Sequence, residues 1–117
     1  MQTKIYKSYL TDILSNNGAV TSYSAYLVDS SMSIISASID FTVTSATKDS
    51  SGVKLAISEN IWTWNDVGGI VHGVLIKKLD TTNAIFVDLE QDMAVDGDFV
   101  INWTYSEFLR FSISNIM

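Results

Sequence analysis

Few side chains in this chain are suited to chemistry, and each reaction class needs partners that the sequence must also supply. His72 is the sole histidine. A Ser-His-Asp triad could be built only around it, and a metal site with several histidines is excluded. It lies in the most hydrophobic stretch, Ile70-Val71-His72-Gly73-Val74, where a lone histidine is expected to be a buried, hydrogen-bonded structural residue. There is no cysteine, so neither a disulfide framework nor a thiolate metal site can form. Glycine-rich phosphate loops and zinc motifs are absent too.

Two constellations remain. Asp88, Glu90, Asp92, Asp96 and Asp98 form an acidic cluster of the kind that can bind calcium or cleave a glycosidic bond. Their spacing fits no calcium loop, because Met93, Ala94 and Val95 stand where oxygen ligands would be needed. Asp96 and Asp98 have a simpler use as turn residues around Gly97, which makes the cluster a solvated acidic edge that discourages edge-to-edge aggregation. The second constellation is aromatic: Trp62, Trp64 and Trp103, with Phe99 and Tyr105 near the last. Trp62 and Trp64 are two apart, so in an extended chain they project to one side. They could form a sugar-stacking platform or a protein hot spot, although packing into the core is the ordinary fate of such residues and is expected of Trp103.

The elements that position these residues are strands. After Gly18 apolar residues recur with period two. Residues 20–28 put Tyr23, Ala25 and Leu27 on one face, and residues 38–45 put Ile39, Phe41 and Val43 inward. Val53, Leu55 and Ile57 mark a third strand. In residues 69–77, Ile70, Val74 and Ile76 share one face while Val71 and Leu75 occupy the other, as in a central strand covered on both sides. Residues 84–90 set Ile85, Val87 and Leu89 against Phe86, Asp88 and Glu90, and residues 98–105 align Phe99, Ile101, Trp103 and Tyr105. Residues 107–114 make a closing strand, and 31–37 read equally as an edge strand or a loop.

Proline is absent. Turns must therefore fall to Asn16-Asn17-Gly18, Asp49-Ser50-Ser51-Gly52, Gly68-Gly69, Asp80-Thr81-Thr82-Asn83 and Asp96-Gly97-Asp98, with Asp96-Gly97 the strongest hairpin signal. Before Gly18, Ile5, Tyr6, Leu10, Ile13 and Leu14 recur near helical spacing, with Thr3 as N-cap, which predicts a short amphipathic helix over residues 4–15. That helix either closes one end of the fold or docks on a neighbouring subunit. The expected fold is one all-β domain over residues 1–117, an antiparallel sandwich or jelly roll of about seven to eight strands.

Composition narrows the partners. Hydrophobic residues make up 47% of the chain and charged ones 17%, below the roughly 25% of an average soluble domain. A low-charge exterior of Ser, Thr and Asn suits a protein whose surface touches other proteins. Formal charge is -6, with seven Lys and Arg that are scattered rather than clustered. Direct binding to nucleic acid is therefore not expected. No stretch approaches the length of a membrane span, and the opening residues lack the apolar run of a signal peptide, so the expectation is a soluble chain not exported by that route.

From residue 53 onward the strands carry a more specific pattern. Val53 to Ile57 runs into Trp62-Thr63-Trp64, then Gly69-Ile70-Val71-His72-Gly73-Val74-Leu75-Ile76. Ile85-Phe86-Val87-Asp88-Leu89, Gly97-Asp98-Phe99-Val100-Ile101-Asn102-Trp103 and Leu109-Arg110-Phe111-Ser112-Ile113 follow. This order resembles a recurrent pattern in small β-sandwich structural proteins of tailed bacteriophages, over residues 53–114. Ser106-Glu107 stands where the glycine before the closing strand is usual, and the first third of the chain has no counterpart. The resemblance implies a head decoration or cement protein, or a minor head, neck or tail component, without an active site or cofactor. Its partners would be the major capsid protein or other virion subunits. The implied state of assembly is a homo-oligomer with a trimer favoured, and the implied location is the virion, assembled in host cytoplasm. Candidate contacts are Ile5, Tyr6 and Leu10 in the helix over residues 4–15, Lys48 and Asp49 at the 45–52 loop, and Trp62 and Trp64 in a loop from Trp62 to Asp66.

Overall fold

The computed structural model describes residues 2–9, 21–49, 52–78, 82–103 and 110–111. Seven antiparallel strands account for most of them: β1 (Gln2–Ile5), β2 (Thr21–Val28), β3 (Ile39–Asp49), β4 (Gly52–Ile57), β5 (Ile61–Lys78), β6 (Asn83–Asn102) and β7 (Arg110–Phe111). The all-β expectation holds. The strands do not divide into the two sheets of a sandwich, however: they form one sheet in the order β1-β6-β5-β2-β3-β4-β7, curled until the outer strands β1 and β7 approach each other. Curling lets one sheet bury its own concave face, which a flat sheet of this size could not do.

Period-two patterning explains the core. Tyr23, Ala25 and Leu27 of β2, Phe41 and Val43 of β3, and Ile85 and Val87 of β6 all face the concave side and are buried, as the alternation predicts. Aromatic rings run through this core from strand to strand. Tyr9 meets Tyr23 edge-on, Tyr23 stacks on Phe41, Phe41 lies 4.6 Å from Trp62 between ring centres, and Trp62 meets Trp64 and Trp103 edge-on. A smaller cluster of Val28, Leu75 and Phe86 covers the convex face of the sheet's middle, so β5 is central and buried on both faces there, as expected.

The N-terminal helix is a correction. Thr3, Lys4 and Ile5 belong to β1, paired with Val87, Phe86 and Ile85, and among the described residues of this segment helical turn is confined to 7–9. A single strong apolar position, Ile5, suffices for a four-residue edge strand that β6 supplies with hydrogen bonds. Tyr6 continues the pattern by donating its N–H to the Ala84 carbonyl. The rest of the predicted helix, Leu10 included, lies outside the described residues, as does the turn at Asn16-Asn17-Gly18. Residues 31–37 are a loop touching the sheet at one bridge, Val28 to Ile34, with the Asp29 carboxylate accepting from the N–H groups of Ser31 and Ser33.

The larger corrections fall on β5 and β6. Gly68-Gly69 and Asp96-Gly97-Asp98 are not turns, and Trp62 to Asp66 is not a loop but part of β5. The two glycine segments face each other inside one long ribbon, with Gly68 opposite Asp96 and Val67 opposite Gly97. An Asp96-Gly97 hairpin would pair only its own short flanks, whereas pairing both flanks with β5 buries Trp62 and Trp64 beside Phe99 and Trp103. The positive φ that makes Asp-Gly a good turn pair is used here for a bend in the strand, with Gly97 at φ 129°. Of the other two predicted turns, Asp49 is the last residue of β3 and pairs with Gly52, the first of β4, while Asn83 is the first residue of β6; Ser50, Ser51, Asp80 and Thr81 lie outside the described residues.

Candidate protein-binding surface

The β5–β6 ribbon has two halves. In the proximal half, Gly73–Lys78 against Asn83–Asp88, β2 and β1 flank the pair. The distal half, Ile61–Val71 against Met93–Asn102, runs on past both neighbours and folds over the concave core. Trp64 fixes it there by donating its indole N–H to the Ala25 carbonyl of β2 at 3.2 Å. The Trp62 indole donates to the Glu59 carbonyl, and the Trp103 backbone N–H donates to the Asn60 carbonyl, which closes the ribbon's far end.

Two bulges set the direction of the distal half. At the first, Asn65 and Asp66 of β5 face Asp98 alone, with Asp66 at φ 55°. That extra residue shifts the phase, so Trp62 and Trp64 before it and Val67 and Val71 after it all point into the core. At the second, Leu89, Glu90, Gln91 and Asp92 of β6 face His72 alone, with Glu90 at φ 60°. This bulge corrects the predicted faces of residues 69–77: Val71 joins Val74 and Ile76 in the core, while Ile70 is 55% exposed.

The titratable groups gather at the second bulge. His72 Nδ1 lies 2.7 Å from Asp92 Oδ1, and the imidazole stacks on the Phe86 ring. The histidine is hydrogen-bonded, as expected, but partly exposed on the convex face and not buried in the core. Asp88 accepts from the Glu90 N–H at 2.8 Å and from Lys4 Nζ at 3.3 Å. The backbone bond, with help from Lys4 and His72, holds its carboxyl below the usual carboxylate range against an opposing effect of burial. Tyr6 lies at the other end of the proximal half, level with Ala84, its phenol pushed up by burial and partly relieved by a hydrogen bond with Asn83. Asp98 accepts a long bond from the Asp66 N–H, and Asp96 projects into solvent. Among the described residues no group of three or more acidic or histidine side chains converges to hold a metal ion.

Most of the contacts expected from sequence are elsewhere. Ile5, Trp62 and Trp64 are 0%, 0% and 2% exposed, so they are core residues and cannot be surface anchors. Burial of both indoles also removes the sugar-stacking platform, because a stacking ring must offer a free face. Tyr6 is half-buried between the two apolar clusters. Lys48 and Asp49 lie in β3, opposite Val53 and Gly52, and their side chains, like Leu10, are outside the described set.

What the distal half exposes instead is Ile61, Ile70, Met93 and Val100, from 42% to 57% accessible. Alternation could have shown two of them, since Ile61 and Val100 have the opposite parity to Trp62, Phe99 and Ile101. Ile61 and Val100 lie diagonally across the ribbon on its outer face, close enough to make one apolar spot. No protein-family model matches the chain, and comparison with curated proteins and with solved structures finds no match. Among the described residues no helix is long and apolar enough to cross a membrane.

Proposed function

We propose that this chain is a non-enzymatic structural subunit of a tailed-phage particle, a head-decoration protein that binds the major capsid protein of the assembled head. The observation that supports an assembly role is the distal half of the ribbon: a curled, tryptophan-anchored lid whose outer face carries Ile61 and Val100 and whose β6 runs on beyond the reach of β1. Apolar side chains with polar rims are the ordinary anchors of protein interfaces. Repetition by particle symmetry would make modest affinity per copy sufficient. The resemblance over residues 53–114 supplies the particle.

Labelling of particles from the chain's own source with antibodies against the purified protein tests this reading in electron micrographs. Label spread over the head is the expected result. Label confined to one pole would move the protein to a neck or tail station, and unlabelled particles would remove the virion role. Sedimentation of the purified chain adds a second check, with a trimer expected.

A further inference from the structure

The edge of β6 identifies the kind of partner the distal half takes. One side of β6 pairs with β5 between Asn83 and Asn102, interrupted by the bulge at Leu89 to Asp92, but the other pairs only with β1, which covers Ile85 to Asp88. From Gln91 to Ile101, no strand among the described residues pairs with that second side. Backbone N–H and C=O groups on such an edge are a template for another strand.

Charge selects what can add there. Asp92, Asp96 and Asp98 are exposed along this stretch, with Glu90 exposed just before it. Between Lys78 and Arg110 the sequence has no lysine or arginine, while it has Asp80, Asp88, Glu90, Asp92, Asp96, Asp98 and Glu107. A second copy pairing edge to edge would bring carboxylates against carboxylates, which disfavours it. The alternation on β6 adds detail. Asp96, Asp98 and Val100 are exposed on the outer face, whereas Val95 and Ile101 are partly buried and pack at the margin of the core. A guest strand with cations on its outer face and apolar residues on its inner face would meet the carboxylates and finish the burial of Val95 and Ile101.

We propose that the outer edge of β6, from Gln91 to Ile101, accepts by strand addition an extended segment of another protein subunit in which lysine or arginine alternates with apolar residues. This deepens the assembly role above and rests on it only for where the other subunit comes from.

The test uses the full chain and two synthetic peptides, one alternating lysine with valine and the other glutamate with valine. Fluorescence anisotropy measures binding, and hydrogen exchange locates it. The lysine peptide should bind and slow exchange within residues 91–101. Binding should weaken about tenfold in Asp96→Lys and fall as salt rises from roughly 50 to about 300 mM. Asp96 lies on the exposed outer face, and unchanged emission from the buried tryptophans would show that the variant is folded. Asp96→Asn should weaken binding by a smaller factor in the same direction.

The proposal is overturned by equal binding of the glutamate peptide, by slowed exchange confined to other strands, or by no slowed exchange with excess lysine peptide at low salt. Exchange within residues 91–101 that slows with protein concentration alone would overturn it in favour of a second copy. Failure of the particle labelling with success here would remove the phage setting and leave the edge site, and the reverse outcome would remove only the edge site.

Discussion

The two halves of the β5–β6 ribbon are the same pair of strands in different surroundings. The proximal half has strand neighbours on both edges and apolar cover on both faces, with Val74, Ile76, Ile85 and Val87 on one side and Leu75 and Phe86 on the other. The distal half has apolar cover on one face only. Nothing in strand propensity separates them. The bulges at Asn65-Asp66 and at Leu89 to Asp92 do, by turning the distal half off the main sheet and rotating its tryptophans inward. A long ribbon thus becomes a structural centre at one end and, at the other, a lid with an open edge.

If the lid is held by its inner face, the largest effect should come from Trp62, which contacts Phe41, Trp64 and Trp103. Trp62→Ala should cost about 3–5 kcal/mol in urea unfolding. Val100→Ser on the outer face of the same half should stay within about 0.5 kcal/mol. Comparable costs for the two would break the distinction between the lid's faces. The proximal half answers to a different residue. A Cβ on Gly73 would lie 2.4 Å from the tip of the Phe86 ring and 2.6 Å from the Val87 carbonyl oxygen. Gly73→Ala should therefore cost about 1–3 kcal/mol by overpacking. Gly68→Ala in the distal half, where nothing lies within 4 Å of the added atom, should cost much less by the same measurement.

These residues also mark how far the sequence can be read. The concave face is legible wherever alternation runs unbroken, as in Tyr23, Ala25 and Leu27 or Phe99, Ile101 and Trp103. Alternation fails at Ile70 and Val71, because opposite the bulge on β6 the side-chain phase of β5 changes at His72-Gly73, both of which meet the Phe86 ring. Asp96-Gly97 misleads for a related reason: the pair's local preference for a turn loses to the longer pairing with β5. Spacing shows that Trp62 and Trp64 project together, but period two cannot say whether the shared side is core or solvent. The open edge of β6 is illegible, since strand order decides it and alternation carries no information about order.

The second bulge offers a milder test. Asp88 joins the proximal half to β1 through Lys4 and braces Glu90 at the start of the bulge. Asp88→Asn should cost about 1 kcal/mol near neutral pH. The wild-type carboxyl titrates below the unfolded value, so the stabilisation is complete above the ordinary aspartate range, near pH 4, and disappears as pH falls through the lower folded value. The stability difference between the wild type and the Asp88→Asn variant should therefore shrink between about pH 5 and pH 2. A constant difference across that range would assign the cost to altered hydrogen bonding of the neutral amide instead.

The smallest effect belongs to the pair that looks most like chemistry. His72 and Asp92 span the bulge at 2.7 Å, but the aspartate side chain is 50% exposed and the histidine 30%. Water competes for both, and an exposed pair of this kind contributes roughly 0.2–1 kcal/mol. A double-mutant cycle of His72→Ala and Asp92→Ala on stability should give a coupling in that range. Coupling well above it would mean that the pair, and not the Glu90 backbone with Asp88, fixes where the ribbon leaves the sheet. The cycle should then also alter hydrogen exchange in the distal half, which the weaker coupling would leave unchanged.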